Sequence, residues 1–268
     1  DIHYAHMRTP LILLKKPCMK QRDAGASGPT PARRRGQVFL SRFRATLALT
    51  LMSVALTLVF LGVSLGGERC FASETCAAVF RFFDMNSESA IPTWFLAALW
   101  LLASAMAAVV ASQTQAAKRW GVGYWWALSA LCVLLSANEV ASILDFLARL
   151  LADAIAGESG NQNPFRILVI LAALVLGAVF VPLLTHLSAD VRRILLAWGG
   201  LLLFSKIVVG GGGLFLAGEA GLVLDRAGVD YLVAAREFGA MLSAVVLVNG
   251  LMLQASYGRF DLRLTFRP

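Results

Sequence analysis

Charge is scarce in this sequence. Asp, Glu, Lys and Arg make up 15% of its 268 residues, against roughly 25% in an ordinary soluble domain. A soluble fold needs that charge to dress its surface, and here the hydrophobic fraction rises to 58% instead. Histidine is scarcer still. His3 and His6 stand near the start and only His186 lies in the body of the chain, which excludes a haem with two histidine ligands and a multi-histidine zinc site. No G-x-S-x-G elbow, Walker A loop or C-x-x-C pair occurs, so the usual hydrolase, nucleotide-binding and redox signatures are missing too.

What the chain has in abundance is long apolar runs, and the mean hydropathy is +0.71. About 20 apolar residues are enough for a helix to cross a bilayer. Six such runs can be placed: Ala45–Leu65, Ile91–Ser112, Gly123–Phe146, Phe165–Leu187, Ile194–Ala217 and Phe238–Ser256. The expected fold class is therefore all-α, a polytopic bundle of six transmembrane helices, with no room for a separate soluble domain. Residues 1–44 read as a flexible basic tail, 45–258 as the membrane domain and 259–268 as a short second tail. The chain opens on Asp1, while Met19 heads a stretch resembling an ordinary start, so residues 1–18 are read as outside the native protein. Pro92 suits a first helical turn, where its missing N–H costs nothing, and Trp94 suits the headgroup level. The stretch Phe80–Ala90 reads as a short amphipathic helix before the second span.

The formal charge of +8 and pI near 9.8 invite a nucleic-acid reading, but their distribution argues against it. Ten of the 24 Lys and Arg precede the first span, and most others sit in short inter-helix segments. With the N-terminus inside, 17 fall on the cytoplasmic side and six outside, Lys206 lying within a span. That bias is the positive-inside rule at work. It predicts both termini in the cytoplasm, in a bacterial inner membrane, with membrane lipids as partners and no nucleic acid. Cys70 and Cys76 then fall on the oxidising side, close enough to form a disulfide. Cys132, inside the third span, reads as a small packing residue.

Ionisable groups inside a bilayer are costly, and default to a functional hypothesis. Glu139 on the third span and Lys206 on the fifth lie within about 5 Å of each other in depth, at ~1.5 Å rise per residue. Ser129, Cys132, Ser136 and Glu139 share an arc of roughly 80°, and Gly199, Lys206, Gly210, Gly213 and Ala217 one of roughly 60°. On the sixth span Gly239, Ser243, Gly250 and Gln254 align similarly. Small and polar stripes are the faces that membrane helices turn to one another, so helices three, five and six are expected to meet. Glu139 and Lys206 then form either a structural ion pair or the lining of a polar cavity. The run Gly210–Gly213 could unwind the helix beside the lysine, as in discontinuous transporter helices, or simply permit packing or a kink. Acids collect on the outer side, Asp84, Glu88, Asp145 and Glu237 among them, and are read mainly as solvated charges or arginine partners. No metal site and no cofactor is predicted.

Three segments carry a resemblance. FFDMNSESAIPTWF at 82–95 resembles an F-D-x-N-x-E-x-N-I-P-T-W-F signature before the second helix of a group of uncharacterised bacterial multi-pass membrane proteins. LLSANEVASILDFL at 134–147 is similar to their L-S-x-D-E-x-x-x-I-H-E helix, and AREFGAMLSAVVL at 235–247 to their E-E-x-x-E-M-x-G-A entry into the last one. This chain departs from the pattern at Asn138, Leu144 and Arg236, and with Gly239-Ala240 near the second Glu of the last motif. It keeps Glu139, Asp145 and Glu237 but no histidine between them. The resemblance implies a six-helix fold whose acid–histidine site is degenerate here. The leading expectation is a non-catalytic accessory subunit of an inner-membrane assembly, with other membrane subunits or further copies as partners. The alternatives are a small-molecule or ion transporter using a Glu139/Lys206 cavity and, behind it, an intramembrane hydrolase.

Overall fold

The computed structural model describes residues 31–65, 74–85, 87, 89–143, 146–147, 150, 175, 177–212 and 226–257. Every regular element among them is a helix, with no strand. In chain order these are α1 (Pro31–Leu65), α2 (Glu74–Phe83), α3 (Ile91–Ala116), α4 (Val122–Ala141), α5 (Gly177–His186), α6 (Ala189–Leu203), a π-helical continuation of α6 (Phe204–Gly212), and α7 (Arg226–Tyr257). Four stretches are long and apolar enough to cross a membrane: Arg42–Leu65, Ile91–Ala116, Val122–Ala141 and Gly228–Tyr257.

The distribution of side chains is inverted relative to a soluble protein. Leu58, Leu134 and Phe146 are more than 60% exposed, and Leu47, Leu51, Leu102 and Val133 join them on the outside. Inside lie Ser53, Ser104, Ser129, Ser136, Ser205, Ser243 and Glu237. In water such an apolar exterior would drive aggregation; against lipid tails it costs nothing, and the polar groups turn inward to find partners. The chain is a membrane protein.

Contacts fix how the helices run. Ser64 at the end of α1 donates a hydrogen bond to Asp230 near the start of α7. Gly239 of α7 abuts Ser205, and Gly250 abuts Ile194 near the start of α6, so α6 and α7 are antiparallel. Pro92 and Leu96 at the start of α3 share a crevice with Glu237 and Met241 of α7. Gly121, at the entry to α4, faces Leu183 of α5. Helices α1, α3, α4, α5, α6 and α7 therefore alternate in direction. The entry to α1, the α3–α4 turn, the α5–α6 turn and the end of α7 all share one end of the bundle.

Several boundaries differ from those expected, each for a local reason. The short helix before the second span is Glu74–Phe83 and not Phe80–Ala90; residues around Ser87 turn back, with Thr93 Oγ1 donating to the Ser87 carbonyl at 2.8 Å. The third span stops at Ala141, because Ser142 adopts a left-handed conformation (φ 43°) and its N–H caps the Asn138 carbonyl at 2.9 Å. The last span begins at Arg226, well before Phe238. Polar residues here do not end the helix, because Asp230 has Ser64 as its partner and Glu237 is buried. Of the fourth expected span only the end, α5, is described.

Helix partners are also redistributed. The third span spends its polar stripe on the second: Ser129 and Ser104 hydroxyls lie 2.9 Å apart, and Ser136 Oγ donates to the Ala97 carbonyl at 2.9 Å. Contact between α6 and α7 is as expected, closest where glycine removes a side chain. Gly199, placed on the same stripe by phase, faces open space.

This predicts a graded glycine response. A Cβ at residue 239 would sit 2.7 Å from Ser205 Cβ, and one at 250 would sit 2.8 Å from Ile194 Cγ2. Gly239→Ala should destabilise the bundle by ~1–3 kcal/mol through overpacking, and Gly250→Ala by less, because a side-chain methyl can shift. Gly62→Ala and Gly200→Ala, where nothing lies within 4 Å, should be neutral or stabilising by ~0.5–1 kcal/mol. Thermal unfolding in mild detergent reads the order.

Candidate functional site

The C-terminal turn of α4, the π segment and the first half of α7 bring four charged groups together. Lys206 Nζ lies 3.3 Å from Glu139 Oε1 and 3.6 Å from Glu237 Oε2. On the far side of Glu237, Arg236 Nε donates to Oε1 at 2.7 Å. Both glutamate side chains are 12% exposed, while Lys206 and Arg236 are 36% and 30% exposed. Two anions and two cations from three separate helices thus neutralise one another in a chain Glu139–Lys206–Glu237–Arg236.

The local fold explains why the lysine reaches both acids. From Phe204 onward the helix takes the wider π winding, and the segment ends in glycines that tolerate it. π-helical turns are uncommon and occur disproportionately at functional positions. Ser205, whose hydroxyl donates to the Leu202 carbonyl at 3.0 Å, is pressed against Gly239 of α7. That close approach brings the next residue, Lys206, within reach of Glu237, two residues before Gly239. From α4, Glu139 reaches the same ammonium near the helix end. Here the end of α4 meets the π segment.

The expected pair, Glu139 and Lys206, is therefore in contact. The other candidates are placed differently. Ser136 is engaged with the second span, and Ser243 donates to Ala240 of its own helix at 2.7 Å. Gly239 forms the close approach, and Gly210 belongs to the π segment. Asp84 is partly buried in the turn after α2. Gly213, Glu88, Asp145 and the Cys70–Cys76 pairing lie outside the described residues; Cys132 is a buried free thiol.

Glu237, expected among the outer-side acids as a solvated charge or an arginine partner, has Arg236 as its partner but is buried within α7, which starts well before Phe238. The signal was available in VDYLVAAREF, an apolar segment that carries the helix upstream and so places Glu237 inside it. Next to Glu237 a crevice of about 10 Å³ is lined by Met85, Pro92, Thr93, Leu96 and Met241, room for roughly one water.

Removing Lys206 leaves Glu139 without its cation, whereas Glu237 keeps Arg236. Lys206→Met should cost about 3 kcal/mol, in the range of a broken buried pair, and Glu237→Gln less. Adding Glu139→Gln to Lys206→Met should restore most of the loss, because the remaining pair is intact. A double-mutant cycle on thermal stability checks this; simple additivity would show that the pair is not coupled. Comparison with protein-family models, with curated proteins and with solved structures gives no match to this chain, so these residues alone carry the functional reading.

Proposed function

We propose that the chain is a non-catalytic accessory subunit of a larger inner-membrane assembly in a bacterium, crossing six times with both termini in the cytoplasm. The observation that carries the reading is the balanced charge chain Glu139–Lys206–Glu237–Arg236. Its carboxylates and cations are spent on one another across three helices, which clamps the bundle and leaves none of these four groups unmatched for chemistry on a substrate. Such networks trade stability for a defined arrangement of helices, which suits a scaffold. Helices α1 and α4 support the partner side of the proposal. Their apolar windows are only 17% and 28% buried within the chain, leaving long faces for another membrane helix. The fourth and fifth spans are the segments ending at α5 and beginning at α6. Alternating directions favour that count, and the shared basic end favours the orientation. The resemblance to the F-D-x-N-x-E-x-N-I-P-T-W-F group is part of the same proposal.

A second reading rests on the π segment. A helix that loosens from Phe204 to Gly212 beside a charged residue resembles the broken helices around which transporters build ion sites, and Lys206 would then leave its acids during a transport cycle.

Chemical cross-linking in intact membranes, followed by native mass measurement in mild detergent, separates the two. The subunit reading expects a complex heavier than the single chain of 28.8 kDa, kept by a folded Glu139→Gln/Lys206→Met variant. A lone monomer in the membrane would sink it. Uptake into proteoliposomes that this variant abolishes would establish the transporter.

A further inference from the structure

The end of the bundle opposite the charge chain carries a second constellation. Helix α3 closes with Lys118 in the left-handed conformation (φ 50°), its N–H bonded to the Gln115 carbonyl at 2.9 Å and the Arg119 N–H to Thr114 at 3.0 Å. This doubly bonded helix end is a Schellman turn. Three residues after Lys118, Gly121 is again left-handed (φ 95°) and packs on Leu183. The turn is fixed, and so is what it presents. Trp120 lies against His186 with ring centroids 4.2 Å apart, Tyr124 is 5.2 Å from Trp120, and Phe180 is 6.2 Å from Tyr124. His186 Nδ1 is held 2.8 Å from the Pro182 carbonyl. The aromatic row ties the α3–α4 turn to the end of α5, and the short turn Leu187–Ser188 then leads to Arg192 and Arg193 on α6.

Two basic pairs adjoin the segments that this aromatic row joins: Lys118–Arg119 directly precede Trp120, and Arg192–Arg193 follow His186 by six and seven residues, across the α5–α6 turn. All four are exposed and none is in an ion pair with another described residue. One acid, Asp190, accompanies them. Below the row the surface is apolar, with Val175, Val179 and Val181 more than half exposed. A cationic rim, amphipathic rings and an apolar wall, in that order along the bundle axis, match a molecule with an anionic head and hydrocarbon tails. We infer that this end of α3–α6 is a binding site for an anionic phospholipid, its headgroup phosphate held between Lys118–Arg119 and Arg192–Arg193 and its chains lying along α5. The inference is independent of whether the charge chain clamps or transports. It goes beyond general attraction of basic loops to a membrane, because the Trp120–His186 contact fixes the two turns that carry these particular pairs against each other.

The test is native mass spectrometry of the full chain in mild detergent, titrated with phosphatidylglycerol or with phosphatidylcholine. The wild type should retain phosphatidylglycerol preferentially. Lys118→Asn/Arg119→Gln keeps a residue suited to the left-handed turn and should weaken that retention on the order of twentyfold, at roughly fivefold per cation. Arg192→Gln/Arg193→Gln, on an exposed helical turn, should do the same without disturbing the α3–α4 turn. Arg42→Gln/Arg44→Gln, at the same end but on α1, should leave it unchanged. Equal loss in that control would show diffuse attraction and overturn the site. So would displacement of the lipid by millimolar inorganic phosphate, since the anion alone would then suffice.

Discussion

A polar group inside a bilayer has no water to bond, and the protein must supply every partner itself. That constraint organises this structure. Ser136 bonds a backbone carbonyl on the neighbouring helix, Ser129 bonds Ser104, and Ser64 bonds Asp230. Each contact joins two helices that lipid alone would not hold together, because tails are as apolar as the leucines they touch. The four-residue charge chain is the costliest instance. Lys206 cannot sit among apolar side chains without a carboxylate, and it has two.

Packing follows from the same requirement. For Lys206 to reach acids on α4 and α7, the helix that carries it must approach α7 closely, and Gly239 supplies the space against Ser205. The π winding that begins at Phe204 shifts the register of the residues that follow. A regular α-helix would carry the lysine to a different azimuth. Close approach, altered winding and ion pairing are one arrangement seen from three sides.

The two ends of the bundle are chemically distinct. One holds the compensated charges, which serve each other; the other presents exposed cations with no ion-pair partner among the described residues, on a fixed turn beside aromatic rings. Membrane interfaces favour that second combination, since Trp and Tyr place an apolar body in the hydrocarbon and a polar edge in water. Alternation of helix direction is what gathers the basic segments, widely separated in sequence, at a single end.

The class of the protein was legible from composition, because apolar runs of bilayer length have few other uses. The membrane-crossing stretches of α1 and α3 were legible for the same reason, and so was the meeting of Glu139 with Lys206, since a buried charge has few options; that α1 begins at Pro31, inside the stretch expected to be a flexible tail, was not. Helix ends were not legible: Ser142 stops α4 through its backbone conformation, and α7 starts early because Asp230 finds Ser64, a partner on another helix. Nor could phase tell which neighbour a polar stripe faces. Ser129 and Ser136 were as able to meet the fifth helix as the second. The sequence by itself determined that this chain lies in a membrane and which charges must be buried. Only the tertiary structure decided that Glu237 joins them and which helices share the load, because partner choice depends on the spatial order of the helices, and phase along one helix does not encode it.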